Sequence, residues 1–160
     1  MSQDEAHLKF LIERYQQRVF ALVLYMIGND KNKTYELTAS SFVKALRSAS
    51  VYEEGEAFLI RVLGVAIDQS RDVKAMPSVD ESSLEHISPA RRPFFKIITL
   101  SLQALPFEIK AVLLLRDQAH LTYKGISTVL GISESEARIQ TLKAREQLKE
   151  QIKEVLSRGG

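Results

Sequence analysis

The 160-residue sequence contains no cysteine and no tryptophan, and it has only three histidines. The absence of cysteine excludes disulfides and thiolate metal sites. His7, His86 and His120 lie far apart without the spacing of metal ligands, so no metal site and no cofactor are predicted. The sequence also lacks a Gly-rich phosphate loop and a nucleophile paired with a base, and it therefore does not indicate an enzyme.

A long apolar run and a strong charge of either sign are also missing. Residues 19–27, the most apolar stretch, are too short to cross a bilayer and are interpreted as core. Asp4 and Glu5 stand where a signal peptide would be basic, so a cytoplasmic protein without membrane insertion is expected. The net charge is +2, but residues 94–160 carry +3 (10 basic, 7 acidic) and residues 1–93 carry −1 (12 basic, 13 acidic). The basic excess lies in the second half.

Apolar residues recur at three- and four-residue intervals, which predicts an all-α protein without strands. In the first half, helices are expected over residues 4–27, 34–49 and 58–73. Residues 74–93 hold three of the four prolines and a Ser/Asp/Glu cluster, so they are predicted to form a flexible linker that proteases cut first. Two small helical bundles, residues 1–73 and 94–160, are expected on either side of this linker.

The most informative stretch is 122–145, where a helix, a tight turn and a second helix follow one another. Thr122 can cap the first helix, and Gly131 lies where a helix ends in a left-handed residue. Ser133 and Glu136 form a capping box that starts the second helix at once. This pattern predicts a helix-turn-helix, although an ordinary αα-hairpin with solvated charges has the same pattern.

The second helix of this motif carries side chains suited to DNA on its exposed face. Arginine and lysine bind phosphates or guanine, and glutamine binds adenine through two hydrogen bonds. The candidate DNA contacts on this face are Arg138, Gln140, Lys143 and Arg145.

Residues 105–148 resemble the fourth conserved region of bacterial sigma factors, most closely the compact extracytoplasmic-function group of the sigma-70-like family. The matching motifs, in order, are Leu105-Pro106, Leu115-Arg116, Thr122-Tyr123, Leu130 to Ser133 and Lys143-Ala144-Arg145. The first half resembles the second conserved region in a diverged form. Its matching segments are Glu36-Leu37-Thr38, Phe42 to Ala45, and Phe58-Leu59 with Arg61-Val62.

The resemblance implies a sigma factor that binds core RNA polymerase and directs transcription initiation. The C-terminal domain would recognise the promoter −35 element, and the N-terminal domain the −10 element. An anti-sigma factor is implied as a further partner. In the −35 complex, Ser133 and Ser135 would bind phosphate at the recognition-helix N-terminus.

The resemblance also assigns residues of the first half. The implied −10 contacts are Tyr52, Phe58, Arg61 and Arg71. The implied polymerase contacts are Glu36, Leu37, Phe42 and Lys44. Tyr52 and Phe58 are the aromatics near the position where a base would stack, but core packing explains both equally well, and for Phe58 packing is the favoured interpretation.

The second region departs from the family pattern at several positions. Ala39 replaces an expected glutamine, and Leu63-Gly64-Val65 replaces an expected asparagine and alanine in the melting helix. Acidic Glu53, Glu54 and Glu56 lie where the loop should meet DNA, and Glu136 replaces a phosphate-contacting threonine. Two alternatives therefore stay open. One is a sigma-like DNA-binding regulator that does not melt promoters, and the other is a dimeric regulator that reads a palindromic site.

Overall fold

The computed structural model describes residues 3–48, 55–74, 84–85 and 87–159, and all regular structure in these ranges is helical. The α-helices are α1 (Gln3–Ile27), α2 (Lys31–Ser48), α3 (Gly55–Arg71), α4 (Arg92–Gln103), α5 (Phe107–Asp117), α6 (Tyr123–Leu130) and α7 (Glu134–Gly159), and a one-turn 3-10 helix (Pro89–Arg91) precedes α4. The all-α prediction is confirmed. None of the described helices is long and apolar enough to span a membrane.

Polar capping groups determine where α1 ends and where α2 begins. The spacing of apolar residues gives no information about these groups. The carbonyl of Leu24 accepts hydrogen bonds from the backbone N–H groups of Gly28 (3.1 Å) and Asn29 (2.9 Å), which ends α1. The Asp30 carboxylate then accepts a bond from the Lys33 N–H at 3.0 Å and caps α2. As a result α2 begins at Lys31, earlier than the predicted residue 34.

Helices α1, α2 and α3 pack around the apolar stripe of α1. Val19, Leu22 and Val23 on this stripe are fully buried. The rings of Phe42 on α2 and Phe58 on α3 lie with their centroids 6.1 Å apart. Through these contacts the three helices bury most of their large apolar side chains.

The C-terminal half is built around α5, whose Val112, Leu113 and Leu115 are buried. Helix α7 contacts α4, α5 and α6. The buried side of α7 consists of Ala137, Thr141 and Ala144, whose small side chains allow the neighbouring helices to approach closely. This packing leaves the opposite side of α7 in solvent.

The two halves are in contact, and one continuous apolar core runs through both. Helix α5 packs against α1, and α6 packs against α3. Half of the predicted linker, residues 75–83 and 86, lies outside the described residues, but Leu84 within it is fully buried. The division into two domains stays a prediction. In this structure the two halves contact each other through α1 with α5 and α3 with α6.

Candidate nucleic-acid interface

The helix-turn-helix forms through the local bonds that the sequence predicts. The Thr122 Oγ1 accepts the Gly125 N–H at 3.0 Å and caps α6. Gly131 ends α6 with φ of +68°, the left-handed region that glycine adopts without strain. The Ser133 Oγ accepts the Glu136 N–H at 3.0 Å and caps α7. Together these three residues fix the angle at which α7 leaves the turn.

Only half of the predicted capping box is formed. The Glu136 carboxylate does not return to Ser133, and its Oε1 instead accepts a hydrogen bond from Gln140 Nε2 at 2.8 Å. Gln140 is half-buried, and this bond holds its amide along the helix surface. The second Nε2 hydrogen and the Oε1 of Gln140 are not used in this bond.

Most of the predicted −35 contacts lie on the solvent side of α7. Ser133, Ser135, Arg138 and Lys143 are exposed. Ile139 and Leu142, which were not among the predicted contacts, are also exposed, at 46% and 56%. Apolar side chains on a recognition helix can contact the methyl group of thymine. Helical spacing could have predicted the exposure of Ile139 and Leu142, because both fall outside the buried stripe of Ala137, Thr141 and Ala144.

Arg138 is oriented by an aromatic ring. Its guanidinium carbon lies over the Tyr123 ring, 4.8 Å from the centroid, and that of Arg116 lies over the same ring at 4.2 Å. Arg116 also donates to the Leu121 carbonyl at 2.9 Å. Within the described part of the chain, neither arginine pairs with a carboxylate. Two guanidinium groups held on one ring place positive charge that can attract an anion such as phosphate.

Arg145, although predicted to contact DNA, has a partner inside the protein. Its Nε lies 3.0 Å from Asp117 Oδ2 and its Nη2 lies 2.5 Å from Asp117 Oδ1. These hydrogen bonds raise the pKa of the Arg145 guanidinium. The structure thus gives Arg145 a contact that fastens α7 to α5, and its role at DNA stays a prediction.

The predicted −10 residues that the structure describes, Phe58, Arg61 and Arg71, do not come together on one open surface. Tyr52, like Glu53 and Glu54, lies outside the described residues. Phe58 is 1% exposed and packs in the core, as the sequence analysis favoured. Arg61 is half-buried beside a cleft between α3 and α6. Arg71 is bound to the Glu108 carboxylate and lies over the Phe107 ring, 4.6 Å from its centroid.

The predicted polymerase contacts divide into buried and exposed residues. Leu37 and Phe42 are only 7% and 5% exposed, whereas Glu36 and Lys44 are exposed. Phe42 nevertheless borders an apolar groove of about 620 Å³ between α1 and α2, and Ala39 lies in this groove. The absence of a glutamine side chain at position 39 leaves this groove open.

The described residues contain no group of three or more His, Asp or Glu side chains that could hold a metal ion. A capped helix-turn-helix that carries exposed cations on its second helix and packs against a further set of helices is typical of the class of DNA-binding transcription proteins.

Comparison with known proteins is more specific. The family model of sigma-70 region 4 matches residues 95–148. The sigma-E factor of Haemophilus influenzae, an extracytoplasmic-function (ECF) RNA polymerase sigma factor, is 20% identical over 96% of this chain and 91% of its own length. The RNA polymerase sigma-H factor of Pseudomonas aeruginosa is 20% identical over 96% of this chain and 90% of its own length. The chain is thus similar to the sigma-70 family over residues 95–148, and to extracytoplasmic-function sigma factors over nearly its whole length.

Two further comparisons agree with this placement. The ECF sigma factor SigE of Mycolicibacterium smegmatis is 27% identical over 88% of this chain, which spans 59% of that relative. The solved structure of CnrH in complex with the cytosolic domain of CnrY superposes with a TM-score of 0.69 at 15% identity. It covers 89% of this chain and 84% of CnrH, which shows that the two share a fold.

Proposed function

We propose that the protein is a sigma factor that binds core RNA polymerase in the cytoplasm and directs transcription from promoters with separate −35 and −10 elements. The observation that carries the proposal is the exposed face of α7, where Arg138 and Lys143 follow a capped N-terminus. The similarity to extracytoplasmic-function sigma factors supports the same function.

In this proposal α7 enters the major groove of the −35 element. Ser133 and Ser135 present backbone N–H groups and the positive end of the helix dipole to a phosphate. Arg138 and Lys143 bind phosphate or guanine, and Leu142 and Ile139 contact thymine methyl groups. Arg116, which Tyr123 holds beside Arg138, adds a contact to the DNA backbone.

The N-terminal half supplies the −10 and polymerase contacts. The exposed Glu36 and Lys44 of α2 face the polymerase, and the neighbouring groove beside Phe42 takes up apolar side chains. Arg61 and Arg71 on α3 bind the backbone of the melted strand. An anti-sigma factor that covers these polymerase-binding surfaces regulates the protein.

The first test is complex formation. Purified protein mixed with bacterial core RNA polymerase should co-elute with it as a stable complex in size-exclusion chromatography. DNase footprinting of that complex should give one asymmetric site. A stable dimer in sedimentation together with a palindromic footprint would instead establish the dimeric regulator, whose half-sites lie one helical turn apart.

A further inference from the structure

Glu136 lies in the first turn of α7, where the sigma-factor pattern has a threonine that contacts phosphate. Its side chain is exposed, and the Ser133 Oγ caps the helix without help from the Glu136 carboxylate. A carboxylate repels the phosphates of DNA, because both groups are negatively charged. Glu136 therefore cannot take over the role of the threonine.

The carboxylate of Glu136 is joined to a second side chain that faces DNA in the proposed complex. Gln140, one turn further along α7, donates from Nε2 to Glu136 Oε1 at 2.8 Å. No lysine or arginine in the described part of the chain pairs with this carboxylate. Because a carboxylate only accepts hydrogen bonds, the contact also fixes which end of the amide faces Glu136.

The chemistry of the major groove limits what a carboxylate can bind there. The base edges in this groove offer two kinds of hydrogen-bond donor, the N4 amino group of cytosine and the N6 amino group of adenine. Adenine also presents the acceptor N7 beside N6, and N7 would repel the second oxygen of the carboxylate, whereas cytosine itself presents no acceptor there. Cytosine is therefore the base that suits Glu136 best.

The amide of Gln140 suits a different base. Its Oε1 and its second Nε2 hydrogen provide one acceptor and one donor, which match the N6 amino group and the N7 of adenine. Guanine presents two acceptors at the same place and would leave Oε1 opposed to one of them. Four residues span about 6 Å along a helix, and successive base pairs lie about 3.4 Å apart. The two side chains can therefore reach base pairs one or two steps apart.

We propose that Glu136 and Gln140 form one base-reading pair. Glu136 selects a cytosine of the −35 element and holds the amide of Gln140 in place for an adenine one or two base pairs away. The inference rests on the proposed function and adds the bases that α7 selects. The negative charge of Glu136 weakens binding to all duplexes, and it weakens binding most where a base acceptor faces it, so affinity is exchanged for discrimination.

The test compares two variants that remove the same charge from the same turn of α7. E136Q changes the reading pair, whereas E134Q replaces an exposed glutamate outside it and is the matched control. Each full-length protein is assembled with core RNA polymerase and selects sequences from a duplex library randomised over the −35 element. Both variants should gain general duplex affinity to a similar extent, because each removes one negative charge near the phosphates. Thermal unfolding verifies the fold of each protein.

The wild-type protein should select a cytosine with an adenine one or two base pairs away. The preference for cytosine should fall by about tenfold in E136Q and stay unchanged in E134Q. Q140A should lose the preference for adenine, and E136A should weaken both preferences because the amide loses its partner.

An element without this cytosine, or base preferences that E136Q and E136A leave unchanged, would overturn the reading pair while the proposed function stands. Failure of the wild-type protein to form a polymerase complex that selects any −35 sequence would instead refute the proposed function.

Discussion

Arg145 and Asp117 form a two-point ion pair that links α7 to α5, with N–H···O distances of 3.0 and 2.5 Å. The two residues lie 28 positions apart in the chain. Parallel bonds of this kind depend on the planar guanidinium, which a lysine cannot replace. The pair holds the recognition helix in place from the side that faces the protein.

Replacing Arg145 should therefore reduce stability rather than DNA affinity. We expect R145A to lower the free energy of unfolding by at most about 1 kcal/mol, because both side chains are partly in solvent. R145K should lose much of the same energy. A thermal-unfolding cycle with D117A, R145A and the double variant measures the coupling. An unchanged unfolding temperature of R145A together with a large loss of duplex binding would show that Arg145 contacts DNA instead.

Substitutions on the solvent side of α7 should have the opposite effect. R138A and K143A should each weaken duplex binding and reduce the salt dependence of log Kd by about 1, because each removes one phosphate contact. Their unfolding temperatures should match that of the wild type. Arg158, which pairs with Glu154 at the far end of α7, provides the control variant R158A. A fall in unfolding temperature parallel to the loss of affinity would make Arg138 and Lys143 structural.

Variants of Tyr123 test whether the orientation of Arg138, and not only its charge, contributes to DNA binding. The Tyr123→Phe variant keeps the ring under both guanidinium groups and should bind duplex DNA like the wild type. The Tyr123→Leu variant keeps an apolar side chain but loses the ring, so it should lose part of the affinity that R138A loses. Equal affinity of the Phe and Leu variants would show that the stack has no role in binding.

Stability should rise with pH between about 8 and 10 because of Lys110. Burial lowers the pKa of the Lys110 ammonium group to about 8 in the folded state, whereas an unfolded lysine keeps its proton to about 10.5, so the unfolded state binds more protons in this window. The gain is at most about 3 kcal/mol. Below pH 8 Lys110 is protonated in both states and contributes no further slope.

The variants K110M and K149M test whether Lys110 causes the rise in stability with pH, and Tyr25 predicts a fall at higher pH. Urea unfolding at a series of pH values should show the rise in wild type and in K149M, which removes an exposed lysine, but not in K110M. Burial raises the pKa of Tyr25, so above about pH 10 the unfolded state loses its tyrosine proton first and stability falls again. A flat profile in the wild type would contradict the buried charge.

Gly64 lies in the segment of α3 that departs from the family pattern, and its replacement by alanine should change the stability of this helix. A Cβ at position 64 would meet no atom within 4 Å, so G64A should stabilise α3 by about 0.5–1 kcal/mol. The control is G125A, where the new Cβ would meet Thr122 Oγ1 at 3.4 Å and Ile60 Cδ1 at 3.5 Å. The gain in G125A should be smaller. Chemical denaturation measures both, and destabilisation by G64A would mean that position 64 is not open.

The helix-turn-helix could be predicted because its signals are local. Thr122, Gly131 and Ser133 each act on backbone groups within five residues, so the sequence carries the whole motif. The start of α2 was predicted too late for a related reason: Asp30, a polar cap, determines it, whereas the apolar period begins further along.

Contacts between distant helices could not be predicted in this way. Periodicity shows which face of a helix is buried but does not show what lies against it. Lys110 meets the carbonyl of Met26 across 84 positions, and no local pattern marks either residue. The same gap explains why Arg145 was assigned to DNA without its Asp117 partner, and why Leu37 and Phe42 were assigned to the polymerase although both are nearly buried.

The proposal that the protein is a working sigma factor, with α7 as its −35 reader, is tested most directly by run-off transcription with purified core RNA polymerase on a promoter library. We expect discrete transcripts that require the protein, from promoters with a common −35 motif that R138A and K143A no longer use. Discrete transcripts that are unaffected in both variants would contradict the role of α7. The absence of any protein-dependent transcript, with no stable polymerase complex, would contradict the assignment as a working sigma factor.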